Sequence, residues 1–263
     1  MIRIDTEKCV SCGECKKDCF PGCIEIEDNK AVLKYDYRCM RCGHCVAVCP
    51  SGAISDEGWD IPEKSGDGLL DLMMMRRTVR RFTKEEVSQE DIDKIIRAGQ
   101  YSPTSCNSQE NEFIVIRGNM TEYQRIGIDT LANGGEAMLR AGGDAYRAKR
   151  FLRWKEDFEK DPEDCEHLFF HAPLVILVTG KTADLRDAAC AAAYMELQAF
   201  SMGLGVLYSG YFCRAVDFSP ELRGMLGISE DRSPARCLVI GHPDVRYHRP
   251  APRKPAEIKD IKG

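Results

Sequence analysis

The chain has 263 residues, 43% hydrophobic and 30% charged, with a net charge of −5 and a pI near 5.7. That length suits one small module plus a full-sized domain with its own core. An acidic balance without a clustered basic excess excludes nucleic acid and anionic membrane surfaces as expected partners. No apolar run reaches the length of a membrane span and no signal peptide precedes Cys9. Nine of the 14 cysteines crowd into residues 9–49, so the expected compartment is a reducing cytoplasm. Cys106, Cys165, Cys190, Cys213 and Cys237 are scattered without metal spacing and read as small core residues.

The first stretch holds Cys9-x2-Cys12-x2-Cys15-x3-Cys19, and thirty residues later Cys39-x2-Cys42-x2-Cys45-x3-Cys49-Pro50. Gly22 returns as Gly52, and Ile24 as Ile54. An iron–sulfur cube needs four thiolates at the corners of a tetrahedron, and three cysteines two residues apart can wrap three corners from one loop. The fourth points the other way and serves the other cluster. The expected sets are Cys9, Cys12, Cys15 and Cys49 on one [4Fe–4S] cluster, and Cys39, Cys42, Cys45 and Cys19 on the other. Zinc sites use two pairs across a longer loop, so the duplicated triplets favour iron–sulfur over zinc or a disulfide framework. The runs resemble the bacterial-type two-[4Fe–4S] ferredoxins. Cys23, where the second run has Ala53, reads as a small apolar residue beside a cluster; the alternative is a spare ligand or redox thiol.

In chain order, residues 2–4 read as a strand, residues 24–26 and 31–33 as a hairpin around Asp28-Asn29, and residues 53–55 as a strand pairing near the first. Gly58, Pro62, Gly66 and Gly68 among charges give residues 56–68 linker composition. The expected domains are 1–60 and 61–263. Residues 69–75 end an apolar helix whose Met73, Met74 and Met75 suit core or dimer packing. Arg76-Arg77-Thr78-Val79-Arg80-Arg81 places four arginines in six residues, either a solvated basic patch or an anion trap whose guanidinium forks match phosphate. Ser88 caps a helix to about Gln100 with Ile92, Ile95 and Ile96 on one face. A polar loop, residues 101–109, precedes a strand over 113–116. Residues 134–171, with Tyr146, Phe151, Trp154 and Phe158 at near-helical spacing, read as an amphipathic helix. His167 and His171 lack an acidic third partner at ligand spacing and are not expected to bind metal. Residues 173–179 and 236–240 are buried-type strands; with 113–116 and 204–209 they make a mixed α+β sheet flanked by helices. Gly203-x-Gly205 follows a helix (185–202) and precedes a strand, the reverse of a dinucleotide fingerprint, so no nicotinamide site is read there.

The arginine loop, Ser102-Pro103-Thr104-Ser105-x-Asn107-Ser108-Gln109, the segment from Gly203 to Tyr211, Gly241-His242-Pro243 and Arg253-Lys254-Pro255 together resemble the nitroreductase family of FMN flavoproteins, from about residue 69 onward. The resemblance implies an FMN-binding α+β sandwich after the ferredoxin-like module. It implies that Arg76, Arg77, Thr78 and Arg80 hold the FMN phosphate and ribityl chain, with Arg253 a late phosphate contact. Pro103, Thr104, Ser105 and Asn107 would line the flavin, the first three from the partner subunit of a homodimer. Ser209 and Gly210 would bring backbone N–H groups to the flavin. Ser209 stands where the family often has an acid, and Glu110-Asn111-Glu112 stands in place of the commoner Pro-Trp-x.

Two one-electron clusters ahead of a flavin lead to the expectation of an oxidoreductase. A ferredoxin-type or other low-potential donor would feed the clusters, and FMN would reduce a small nitroaromatic, quinone or enone-like acceptor. The alternatives are a non-catalytic relay to a partner protein, or other flavin chemistry such as reductive dehalogenation. No side chain is singled out as the catalytic acid; Tyr208, Tyr211, Thr104 and Ser105 carry the available hydroxyls.

Overall fold

The computed structural model describes residues 1–63 and 65–261. The chain divides into two compact units, Met1–Arg77 with Val245–Gly263, and Thr78–Asp244. The sequence placed the boundary at residue 60 and gave everything after it to the second domain. The structure extends the first unit to Arg77 and adds the C-terminal stretch to it, because the side chains after Val245 find their buried partners there.

The first unit contains β1 (Ile2–Ile4), α1 (Glu14–Lys17), β2 (Ile24–Glu27), β3 (Lys30–Leu33), α2 (His44–Val48), β4 (Ile54–Asp56) and α3 (Gly68–Met75). β1 pairs antiparallel with β4, Ile2 opposite Asp56, and β2 with β3, Glu27 opposite Lys30. Asp28 (φ 47°) and Asn29 (φ 59°) take the left-handed conformation that a two-residue hairpin turn requires. Each cysteine run enters its short helix through a left-handed glycine, Gly13 (φ 75°) and Gly43 (φ 73°). Ile2, Ile24, Val46, Val48 and Ile54 form a small core among the cysteines.

The C-terminal stretch straps this core. The His248 N–H donates to the Ala47 carbonyl at 2.8 Å. Arg249 donates to the carbonyls of Val46 (2.9 Å) and Cys49, which lie at the open C-terminal end of α2. The Tyr247 ring meets His44 edge-on at 5.9 Å and its hydroxyl donates to Asp18 at 3.3 Å. Residues 57–63, read as linker, also pack on the unit: Trp59 lies under the Arg41 guanidinium at 4.0 Å, and Ile61 joins the small core. Arg41 donates to the buried Asp56 at 3.1 Å, and the amino terminus does so at 3.3 Å. Burial alone would raise the Asp56 carboxyl, but these cations hold it below the usual carboxylate value.

The second unit contains α4 (Gln89–Gln100), β5 (Glu112–Arg117), α5 (Met120–Arg140), α6 (Ala145–Lys160), β6 (Leu174–Lys181), α7 (Arg186–Ser201), β7 (Gly205–Tyr208), α8 (Gly210–Phe218), α9 (Pro220–Met225) and β8 (Arg232–Gly241). Ser88 caps α4, accepting from the Asp91 N–H at 3.1 Å. The sheet order is β5-β6-β8-β7, and every neighbouring pair is antiparallel. Side chains alternate across it: Ile116, Val175, Leu177 and Val239 face α5, α6 and α8, whereas Ile176, Val178, Leu238 and Ile240 face α4 and α7. Burial on both faces explains why β6 reads as one continuous apolar run. The amphipathic helix expected over 134–171 is divided. α5 ends at Arg140, Gly142 (φ 69°) turns the chain, and α6 buries Phe151, Trp154 and Phe158 while Tyr146 stays exposed. No helix of the described residues is long and apolar enough to cross a membrane.

Cysteine cavities and the edge of the main sheet

The first unit contains two cavities ringed by thiols. One is lined by Cys9, Cys12, Cys15 and Cys49 with Ile4, Ile26 and Ile54. The other is lined by Cys19, Cys39, Cys42 and Cys45, with Cys23, Ile24 and Leu33. Each fourth cysteine therefore sits with the other run. Four sulfurs in each lining, among mostly apolar residues, suit a cluster rather than a hydrated ion. Among the described residues no three His, Cys, Asp or Glu side chains gather closely enough for a single metal ion.

Backbone donors repeat between the halves. The Ala53 N–H points to Cys49 Sγ at 3.3 Å and the Cys23 N–H to Cys19 Sγ at 3.2 Å. Burial pushes the Cys15 thiol up to about 11 and raises Cys45 further, in each case with help from neighbouring cysteines. Thiols so placed become thiolates only when bound iron supplies the compensating charge. Cys23 is fully buried beside Cys19 and Cys39, and burial pushes it up to about 12.

The arginine segment runs through both units. Arg76 and Arg77 belong to the first. Arg77 is only 6% exposed; its Nη2 lies 2.6 Å from the Cys42 carbonyl and 2.8 Å from His44 Nδ1, and its buried Nε has no partner. Arg253 is also in the first unit, exposed, with a bridge to Asp60. In the second unit Thr78 bridges parallel to Val206 and the Val79 N–H donates to the Val206 carbonyl at 3.0 Å. The approach needs Gly205, because a Cβ there would stand 2.8 Å from the Val79 side chain. Residues 78–80 thus run beside β7 toward its end, where Ser209 is buried and Gly210 opens α8 at the surface with open space beside it.

Pro103, Ser105 and Asn107 are exposed and Thr104 is half-buried. Cys106, Asn107 and Gln109 all have φ between 52° and 54°, a run of left-handed residues that side chains resist. The loop is held by Asp187 at the start of α7, which accepts from the Ser105 N–H at 2.8 Å, and by Thr104 Oγ1, which accepts from the Gln109 N–H at 3.1 Å. Buried Arg232 anchors the residues that follow, donating to the Glu110 carbonyl at 2.6 Å and pairing with Glu112 at 2.7 Å. Neither Asp187 nor Arg232 was legible as a support, because each meets the loop from a distant element. The loop enters β5, at one edge of the sheet, and Ser209 follows β7, at the other edge.

The hydroxyls of Tyr208 and Tyr211 have partners in the fold. Tyr208 donates to the Ala192 carbonyl at 3.1 Å, and Tyr211 accepts from Arg150 at 3.0 Å. His167 pairs with Asp157 at 2.9 Å and stacks on Trp154; His171 pairs with Glu166 at 3.2 Å.

Comparison with known proteins places these features. Residues 73–242 match the model of the nitroreductase family and residues 1–50 that of the 4Fe-4S dicluster domain. An FMN reductase [NAD(P)H] of Bacillus subtilis (strain 168) is 31% identical over 183 residues, 69% of this chain and 68% of that protein. A nitroreductase with bound FMN from Bacteroides fragilis NCTC 9343 superposes with a TM-score of 0.54 at 20% identity, over 75% of this chain and 95% of that one. A BluB-like flavoprotein from Clostridium difficile 630 superposes at 0.55 and 21%, over 75% and 100%. With the antiparallel sheet between two helical layers, these matches establish that the chain belongs to the nitroreductase family and carries a 4Fe-4S dicluster domain at its N-terminal end.

Proposed function

We propose that the protein is an FMN-dependent oxidoreductase in which an external low-potential donor reduces the two clusters, the clusters reduce FMN, and FMN reduces a small nitroaromatic, quinone or enone-like acceptor. The observation that carries this reading is the pair of four-cysteine cavities on the same chain as a nitroreductase-family sheet. The proposed ligands are Cys9, Cys12, Cys15 and Cys49 for one cluster and Cys19, Cys39, Cys42 and Cys45 for the other.

Bound FMN would supply the conversion between single electrons and electron pairs. The chain's part is to hold and orient it. Arg76, Arg77, Thr78, Arg80 and Arg253 are the proposed phosphate and ribityl contacts, and guanidinium forks suit phosphate. Gly210, first residue of α8, offers an N–H without an intrahelical acceptor and leaves room for a flat ring. Pro103, Thr104, Ser105 and Asn107 complete the flavin site, the first three from the partner of a homodimer. The exposed Leu69, Leu70 and Met73 of α3 support this. The expected compartment is the cytoplasm.

An anaerobic titration tests the route. Iron, sulfide and FMN are counted per chain, and reduced ferredoxin or NADH is added. The proposal expects about eight irons and one flavin, with flavin bleaching through the clusters. The Bacillus relative is named an NAD(P)H enzyme, which favours direct reduction as the second reading. Flavin bleached by NADH as fast in cluster-free variants would establish that route instead.

A further inference from the structure

The two cavities differ in the charge that the chain holds beside them. At the second, Arg77 reaches the Cys42 carbonyl with a guanidinium that is almost wholly out of water. Its other contact, His44 Nδ1, lies between the ligands Cys42 and Cys45 in sequence. The Nε of Arg77 is buried with no protein acceptor. A buried guanidinium with an unused donor is costly, and a nearby anion offsets that cost. A cluster with four thiolates is anionic and becomes more so on reduction, so a charge held beside its ligands stabilises it most when reduced.

The first cavity has a weaker counterpart. Lys30 reaches the Cys9 carbonyl at 2.8 Å, but from a half-exposed position where water screens its charge. Two features favour reduction of the first cluster: Cys12 is exposed, and the Ser51 hydroxyl lies 3.6 Å from Cys49 Sγ. Both act through dipoles, which weigh less than a full charge held away from solvent.

We propose that Arg77 is a positioning residue that orders the two clusters, so that the one in the Cys19, Cys39, Cys42 and Cys45 cavity takes the first electron and holds it more tightly. The step adds one electron to a cluster, breaks no bond and moves no proton. The inference rests on the ligand assignment proposed above, and iron content separates failure of that assignment from failure of this one.

The test uses the full, anaerobically loaded chain, reduced stepwise with dithionite. In the wild type, hyperfine-shifted β-proton resonances of Cys19, Cys39, Cys42 and Cys45 should move in the first cluster-reduction step, and those of the other four ligands in the second. The reverse order, or all eight moving together, overturns the proposal. Arg77→Met, similar in length but neutral, should lower the midpoint of the first-reduced cluster and narrow its gap from the other, which stays in place. Arg77→Lys should restore most of the gap. If Arg77→Met holds a full complement of iron and neither midpoint moves, the proposal fails; flavin loss with unmoved midpoints would assign the guanidinium to the flavin phosphate instead. If Arg77→Met does not load, the order of reduction in the wild type decides.

Discussion

The two cysteine runs repeat at thirty residues, yet their surroundings do not. Cys12 is exposed and Cys42, its counterpart, is half-buried. Gly13 faces open space, while Gly43 lies against Pro252 and Ala251. The first run is served by the adjoining hairpin, through Lys30. The second is served by Arg77, 35 residues after Cys42, and its helix end by Arg249, 203 residues after Val46. Duplication supplied ligands twice; the later chain made one copy unlike the other.

The largest expected effect comes from removing the strap. Ending the chain after Asp244 should take iron from about eight per chain to four or fewer, with the second cluster lost first. An intact complement of both clusters in that variant would show the strap to be decoration. Next come the crossed ligands. Cys49→Ser should unload the cluster of the first run and Cys19→Ser that of the second, as read by iron content and the spectrum of the cluster that remains. The opposite pattern would mean that each run fills its own cube.

The glycine pair sharpens the comparison at smaller cost. Gly13→Ala should cost about 1 kcal/mol, for a left-handed residue in open space. Gly43→Ala adds a collision, with Pro252 Cδ at 2.8 Å and Ala251 Cβ at 2.9 Å, and should cost about 3 kcal/mol. Thermal unfolding of both variants measures the difference, and equal losses would mean that the strap yields freely. Arg249→Ala should cost about 2 kcal/mol by stripping the α2 carbonyls of their donor. The smallest effect is that of Ser51→Ala, a slight fall in the midpoint of the first cluster, read by potentiometry, with the second unmoved.

The hairpin around Asp28-Asn29, the capped helix from Ser88 and the apolar strand β6 were legible because each is decided by neighbours in sequence. The sorting of cysteines between cavities was legible because spacing constrains it. Residues 245–261 were not. They carry Pro, Arg and Lys without periodicity, and the Arg253-Lys254-Pro255 match drew them toward the second domain. Their partners, Ala47, Val46 and Asp18, lie some 200 residues earlier, and nothing local announces them. The break between α5 and α6 was hidden for the opposite reason: charged and aromatic residues keep a helical rhythm on both sides of Gly142. At the sheet edge, Thr78 and Ser209 could be named from resemblance, but the supports of the facing loop, Asp187 and Arg232, could not.

The strap also sets an order of manufacture. A ribosome adding 5–20 residues per second makes Val46 and then takes roughly ten to forty seconds to reach Arg249. Throughout that interval the end of α2 lacks its cap and Gly43 lies uncovered. The unit whose cysteines emerge first receives its strap only after all of residues 78–244 have been made.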